Sequence, residues 1–479
     1  MPLILIALLV SLLAAPAAAQ IQPSEYAARR DTVAGYSGGG VMLVVAAPEP
    51  EEDYLSFYQD PYYLYLTGIR EAAGALLLTN RGGATRAELF VQPRNPALEV
   101  WSGFRLGPER AASRSGIPSR LIGELAAALD SILRPTDTLW VAGGKVDDAL
   151  LAGIMERKPG LTLQSGDRAI LRARAFKSEA EIDLLRQAIN ITVSAHQEVM
   201  RLVEPGMNEF EAQALIEYTF RRNGADRPGF ASIVGSGPNS TTLHYNANDR
   251  VMNAGDMLVM DIGASYGGYS ADVTRSIPVS GKFSPEQRAV YTIVRDAQRA
   301  AEDAAKVGTS WRTVSQVARD VLARGLADLG LIEGADATYD CGRARQCAQS
   351  DLYYMHGLGH GIGLVVHDPD RHEVTGALGV GSVFTIEPGI YVRANLLDEV
   401  IPDTPANSAL RERLRTVLPR YANIGVRIED DYLVTDSGLE WLSRGAPREI
   451  AEVEEMMARP YTGPAPRDSA MVQRYNPGN

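Results

Sequence analysis

Asp261 follows the apolar run Met257-Leu-Val-Met, and Asp272 precedes Val273-Thr-Arg-Ser-Ile277, with the turn Tyr266-Gly-Gly268 between them. A hairpin with a two-residue Tyr266-Gly267 loop predicts Ser265 opposite Gly268 and Asp261 directly opposite Asp272, on one face of the sheet. Two carboxylates so placed among Val259, Met260, Ile262 and Val273 repel strongly unless a shared proton or a metal pair lies between them. Other segments extend the pattern. Val383-Phe-Thr-Ile ends on Glu387 before Pro388-Gly389, Val426-Arg-Ile leads into Glu429, and His356-Gly-Leu-Gly-His360-Gly-Ile-Gly is a glycine-dense loop suited to close approach. Asp261, Asp272, His360, Glu387 and Glu429 together offer four carboxylates and one imidazole. Four negative charges balance two divalent ions, and an oxygen-rich set with one nitrogen suits Mn, Co, Fe or Zn. Two ions roughly 3.5–4 Å apart share a water and draw its pKa toward neutrality, giving hydroxide as nucleophile.

These residues need elements to hold them. Ser178-Glu-Ala-Glu181 is a capping box. Ile182, Leu185, Ile189, Val193, His196, Val199 and Val203 then form one apolar stripe, stopped by Pro205-Gly206. His196 on that stripe reads as a packed core histidine. The layout recurs about a hundred residues later: Ser284-Pro-Glu-Gln287 opens a helix expected to run to Gly308, and in both cases a glycine turn (Gly206-Met-Asn, Gly308-Thr-Ser) precedes a second helix. Both helix pairs lead into strand-rich segments, which predicts two similar α/β halves around one site. Residues 21–175 read as a separate sheet-and-helix unit. Its strands are expected at 41–45, 75–79, 87–91 and 138–142, with a helix over 119–133. Residues 459–479 carry no periodicity and read as a flexible tail.

Composition narrows the classes. A chain of 479 residues exceeds one hydrophobic core. Its 45% apolar and 22% charged content is ordinary for a globular protein, and a net charge of -12 argues against nucleic acid as a partner. Residues 3–13 are almost wholly apolar, and Ala17-Ala-Ala19 before Gln20 fits a signal-peptidase site. Residues 1–19 are therefore expected to be a signal peptide and the protein exported, periplasmic or secreted. The apolar stretch is shorter than the roughly 20 residues a membrane span needs, so no stable span is expected after cleavage. Export would put Cys341 and Cys347 where a disulfide can form and staple a loop; two unpaired thiols are the alternative.

The segments around the five residues resemble the pita-bread metallopeptidases: Leu258-Val-Met-Asp-Ile-Gly-Ala, Ala271-Asp-Val-Thr-Arg, His360-Gly-Ile-Gly-Leu-Val-Val-His367-Asp, Thr385-Ile-Glu-Pro-Gly-Ile-Tyr391 and Gly425-Val-Arg-Ile-Glu-Asp-Asp431. Their order Asp, Asp, His, Glu, Glu is that family's ligand order. Tyr58 to Gly68, Val100-Trp-Ser-Gly-Phe-Arg-Leu-Gly107 and the linker Arg174-Ala-Phe-Lys-Ser178 are similar to aminopeptidase P and prolidase. The resemblance implies an α/β (α+β) fold: an N-terminal sheet-and-helix domain over 21–175, then a pseudo-twofold pita-bread catalytic domain over 178–458. It implies a dinuclear aminopeptidase that removes the residue in front of proline, with two divalent metal ions, Mn foremost and Co, Zn or Fe as alternatives. By the same resemblance His244 lies near the substrate amide, His367 on the scissile carbonyl side and His356 along the proline pocket. Glu387 is both ligand and proton shuttle, and Tyr391 and Arg427 stand behind Glu429 and Asp261. A proline-containing peptide is the expected partner, and a homo-oligomer, dimer or tetramer, the expected assembly.

Three departures stand out. The stretch between Tyr391 and Arg427 is long and carries Pro402, Pro405 and Pro419; a lid, an oligomer contact and a neutral surface insertion all fit it. Cys341 to Cys347 precedes the His356 loop as a further insertion. Asp60 lies close to, but out of register with, an acid that helps aminopeptidase P bind substrate. Gly361 stands where the family commonly has an aromatic residue, which predicts a roomier cleft. The rival readings are a prolidase restricted to dipeptides and, from another class, a homologue that binds peptides or proteins without catalysis.

Overall fold

The structure is a computed structural model that describes residues 21–52 and 54–465. The expected signal peptide lies outside the described residues. No helix among the described residues is long and apolar enough to cross a membrane.

Alternation along each N-terminal strand decides the first unit. Six strands pair in the order Ser119–Leu121, Ala84–Val91, Ala75–Arg81, Gly40–Val45, Thr138–Gly143, Thr162–Ser165. Val41 and Leu43 point to one face, where Phe90, Leu139, Leu129 and Ile154 close a small core. Met42 and Val44 point to the other, whose core runs on into the catalytic unit. Residues 119–121, expected to be helical, form an edge strand instead; the α-helix starts only at Leu125. Asp60 caps the helix Pro61–Thr67, accepting the N–H of Tyr62 at 2.9 Å and of Tyr63 at 3.0 Å, so its carboxylate is occupied locally.

The two catalytic halves repeat one plan. Ser178 and Ser284 cap the helices Glu179–Leu202 and Pro285–Ala304, and each donates its own N–H in return to the side-chain oxygen of Glu181 or Gln287. The second helix ends at Ala304, a turn short of the expected Gly308. A shorter helix follows each, Glu209–Arg222 and Trp311–Asp328. In the first half, strands Met257–Ile262 and Val273–Pro278 pair antiparallel. In the second, Val383–Ile386 pairs with Asp430–Thr435, and Gly389–Val392 with Ile424–Arg427. Thr274 and Glu429 exchange backbone bonds of 3.1 and 3.3 Å, which joins the halves at the acids.

The first hairpin has a different register from the expected one. Ser265 pairs with Ser270 and Tyr266 with Tyr269, so the loop is Gly267-Gly268, with φ of 65° and 92°. Two positive φ values match the twist of the strands, and glycine takes them without the cost a tyrosine would meet. Asp261 accordingly pairs with Thr274 rather than Asp272. The shift is two residues, so both aspartates keep the same face and stand diagonally.

The long stretch before Arg427 contains the helix Ser408–Tyr421, which buries Leu410, Leu414, Leu418 and Tyr421. Cys341 and Cys347 are bridged. Asn407 fastens this insertion to the bridged hairpin through Asp340, by bonds of 2.9 Å in both directions. The start of the expected tail is held as well: the Ala465 N–H donates to Glu198 at 3.1 Å, on the helix Glu179–Leu202. Residues beyond 465 lie outside the described residues.

Candidate metal centre

Each half places acids at a break in its strand ladder, Asp272 in the first and Glu387 and Glu429 in the second, while Asp261 stands inside regular pairing with Thr274 and Ile233. In the second half the register stops at Ile386 opposite Asp430 and resumes at Gly389 opposite Arg427. One step on from the first pair puts Glu387 opposite Glu429 inside that gap. In the first half pairing stops at Ile262 opposite Val273, which leaves Asp272 at the edge of the gap. Side chains at such breaks are free of regular pairing yet held firmly on either side.

His360 is brought to these acids by a loop packed too tightly for side chains. A Cβ at residue 359 would lie 2.0 Å from the Thr385 carbonyl oxygen, and one at residue 361 would lie 2.3 Å from that of Asp368. Backbone thus fills the space beside Gly361, and the expected widening of the cleft there does not occur. Thr385 holds the loop from both sides, its hydroxyl taking the His360 N–H at 3.1 Å and its own N–H reaching the His360 carbonyl at 2.8 Å. His360 Nδ1 faces the Gly361 carbonyl at 3.1 Å, so it carries the proton and Nε2 presents a lone pair. That lone pair points at Asp272, Glu387 and Glu429 oxygens 3.4, 3.5 and 3.9 Å away. Burial, then His367, lowers the His360 pKa to about 4.

A lone pair aimed at three carboxylates is repulsive without a positive charge between them, so the donor set suits a cation. Asp272, His360 and Glu429 bring one ligand atom each within 4.8 Å of one another. Asp261 Oδ1, Asp272 Oδ1 and Glu429 Oε1 are buried and, among the described residues, have no hydrogen-bond partner. Burial and then the neighbouring acids raise Asp272 and Glu387 well above the carboxylate range; burial, then Asp261, raises Glu429 to about 8. Nitrogen and oxygen donors with orphaned oxygens fit a divalent pair.

Arg427 organises one flank. Its guanidinium holds Asp261 Oδ2 and donates to the Tyr391 hydroxyl at 2.9 Å. That hydroxyl in turn meets His356 Nε2 at 2.8 Å. His356 Nδ1 is 2.8 Å from the Gly357 carbonyl, so Nε2 accepts from Tyr391. Burial, then Arg427, lowers His356 to about 3. His367 packs edge-on to His360 with ring centroids 4.1 Å apart, and burial, then His244, lowers its pKa. His244 is exposed on the turn after Gly237–Thr241, beside Leu243, whose carbonyl takes an Arg427 bond of 3.2 Å. His244 and the nine positions expected from the sequence between Asp261 and Glu429 therefore converge on one region.

Other residues escaped sequence reasoning. Thr274 donates to Glu429 Oε2 at 2.6 Å and meets Arg427 Nε at 3.3 Å; its place in Asp-Val-Thr-Arg was the available signal. Arg174 and Lys177 of the interdomain linker both clamp buried Asp368, Lys177 at 3.1 Å, next to His367. Arg319 holds the His356 carbonyl at 3.2 Å. Nothing local in the sequence links these partners.

Residues 183–436 match metallopeptidase family M24, more than half of the chain. The chain belongs to that family. Residues 26–140 match the aminopeptidase P N-terminal domain. The Xaa-Pro aminopeptidase of Haemophilus influenzae is 35% identical over 84% of this chain and 88% of its own length. The Xaa-Pro dipeptidase of Homo sapiens is 32% identical over 89% and 91%. Aminopeptidase PepP of Pseudomonas aeruginosa superposes with a TM-score of 0.78 at 31% identity, covering 92% of this chain and 98% of its own. Escherichia coli aminopeptidase P in complex with substrate gives 0.77 at 30%, over 91% and 98%. The fold is therefore that of aminopeptidase P, an M24 catalytic domain behind an N-terminal domain.

Proposed function

We propose that the protein is a metal-dependent Xaa-Pro aminopeptidase, removing the first residue from peptides whose second residue is proline. The observation that carries this reading is the His360 Nε2 lone pair facing three carboxylates, within a chain whose relatives of matching length include Xaa-Pro aminopeptidases. Asp261, Asp272, His360, Glu387 and Glu429 would hold two divalent ions, manganese first and cobalt, zinc or iron as alternatives. Bound ions supply Lewis acidity and a water of lowered pKa. The chain's own side chains do the rest. His244 and His367 border the centre where the scissile amide must lie, and donate to the carbonyl as charge develops. His356, fixed in its neutral form by Tyr391 and Gly357, presents a flat apolar ring to the proline. Glu387, with Oε2 3.5 Å from His356 Nδ1, carries a proton to the leaving proline nitrogen. Arg427 holds the Asp261 carboxylate in place through a charge-assisted bond.

Export to a periplasmic or extracellular compartment is supported by the bridge between Cys341 and Cys347 together with residues 1–19. A homo-oligomer, dimer or tetramer, is part of the same reading. The similarity to a human Xaa-Pro dipeptidase favours a second reading, restriction to dipeptides. Manganese-loaded protein offered Gly-Pro and a matched Xaa-Pro-Xaa tripeptide separates the two. Faster tripeptide cleavage is expected; cleavage of the dipeptide alone would establish the second reading, and cleavage of neither would reject both.

A further inference from the structure

The N-terminal and catalytic units leave a cleft of about 420 Å3 between them. Tyr58 and Arg70 line it from one side; Arg221, Arg227, Leu364 and Val365 line it from the other. Asp226 also lines it, so three guanidiniums face one carboxylate, in a chain of net charge -12. Arg70 faces Asp226 at 3.3 Å. Arg221 donates to the carbonyls of Ala225 and Asp226, which fixes its direction without neutralising it. Arg227 lies over the Tyr58 ring at 4.1 Å, a contact across the two units. Among the described residues, no carboxylate pairs with Arg221 or Arg227. Rigid, unneutralised guanidiniums in a cleft are matched to carboxylates.

The cleft is joined to the metal centre by shared chain. Arg227 pairs with Ser265 and Pro228 with Ala264, on the continuation of the strand that carries Asp261. Leu364 and Val365 belong to the loop between His360 and His367. Four residues of extended backbone separate Ser265 from Asp261, about 13 Å at 3.3 Å per residue. A single residue in front of the scissile bond cannot span that distance. An acidic side chain, or the free C-terminus, two to three residues beyond the proline can.

We propose that this cleft is a subsite for a substrate carboxylate and that it gives the protein a preference for acidic peptides; this rests on the aminopeptidase reading above. The test is kcat/KM of the full, manganese-loaded chain on Ala-Pro-Ala-Glu-NH2, Ala-Pro-Ala-Gln-NH2, Ala-Pro-Ala-Gln with a free C-terminus, and Glu-Pro-Ala-Gln-NH2. At low salt the Glu peptide is expected to exceed its Gln partner about tenfold, and the advantage shrinks as salt rises. The free-terminus peptide reports whether the chain end serves equally. Arg227→Glu should bring the Glu/Gln ratio to one or below, and Arg227→Lys should restore part of it. The ratio is unaffected by any misfolded fraction, which lowers both rates alike. Equal wild-type rates, a ratio untouched by Arg227→Glu, or a preference confined to the Glu-first peptide would overturn the subsite. If none of the four peptides is cut, the aminopeptidase reading itself fails and the subsite falls with it.

Discussion

The two acid-bearing hairpins of the catalytic domain solve the same problem with different connections. The first closes through Gly267-Gly268, the tightest turn available; the second runs from Val392 to Ile424 through an inserted helix and a junction with a disulfide-closed hairpin. Both nevertheless interrupt pairing at an acid, Asp272 in the first and Glu387 with Glu429 in the second, and both are braced there by a buried polar side chain from the long helix behind. In the first half His196 Nε2 meets the Val273 carbonyl at 2.9 Å. In the second, Gln298 reaches the carbonyls of Ile386 and Ile428 at 3.3 Å and Asp430 at 2.9 Å. The site depends on the break and its brace, and the connecting loop is free to vary.

The largest effect should come from unbalancing the acids, one in each half. Asp272→Asn and Glu429→Gln are each expected to lower kcat/KM by at least about 10³-fold, because each removes a charge that balances the ion pair. Retention of a tenth of the rate by only one variant would show that the halves are not equivalent.

A smaller effect separates the braces. Burial, then Arg275, holds His196 at about 3, below the unfolded value of 6.5. The unfolded chain therefore binds a proton that the folded chain refuses, and stability falls as pH drops from about 6.5 toward 3. His196→Gln copies the second half's amide brace and should flatten that slope in denaturant titrations at several pH values. An unchanged slope would mean that this imidazole titrates elsewhere in the range.

The smallest effect concerns the caps. Ser284→Ala should cost about 1 kcal/mol, a typical N-cap loss. Ser178→Ala should cost more, because Ser178 Oγ also meets Glu25 of the N-terminal domain at 2.6 Å. Equal losses in chemical denaturation would indicate that this interdomain bond contributes nothing.

Much of this was legible because local chemistry repeats. Ser178 and Ser284 mark their helices by the residue three positions on, and acids inside apolar strands are conspicuous. The observed hairpin register differs by two residues from the expected one, since Tyr266-Gly267 and Gly267-Gly268 both make two-residue loops and only backbone conformation separates them. The period of two kept Asp261 and Asp272 on one face regardless. The helix Ser408–Tyr421 was hidden behind its prolines, although Leu410, Leu414, Leu418 and Tyr421 carry helical spacing. Partners distant in the chain, such as Lys177 with Asp368 or Thr274 with Glu429, have no local signature and emerge only from the packed fold.

The central claim is that five side chains, Asp261 to Glu429, form one centre for two divalent ions. Elemental analysis of the gently purified protein, with calorimetric titration of manganese into chelator-treated protein, tests it most directly. The account predicts close to two ions per chain, with uptake releasing protons from the buried carboxyls. Less than about half an ion per chain, with no proton release and no manganese-stimulated cleavage of an Xaa-Pro peptide, would contradict it.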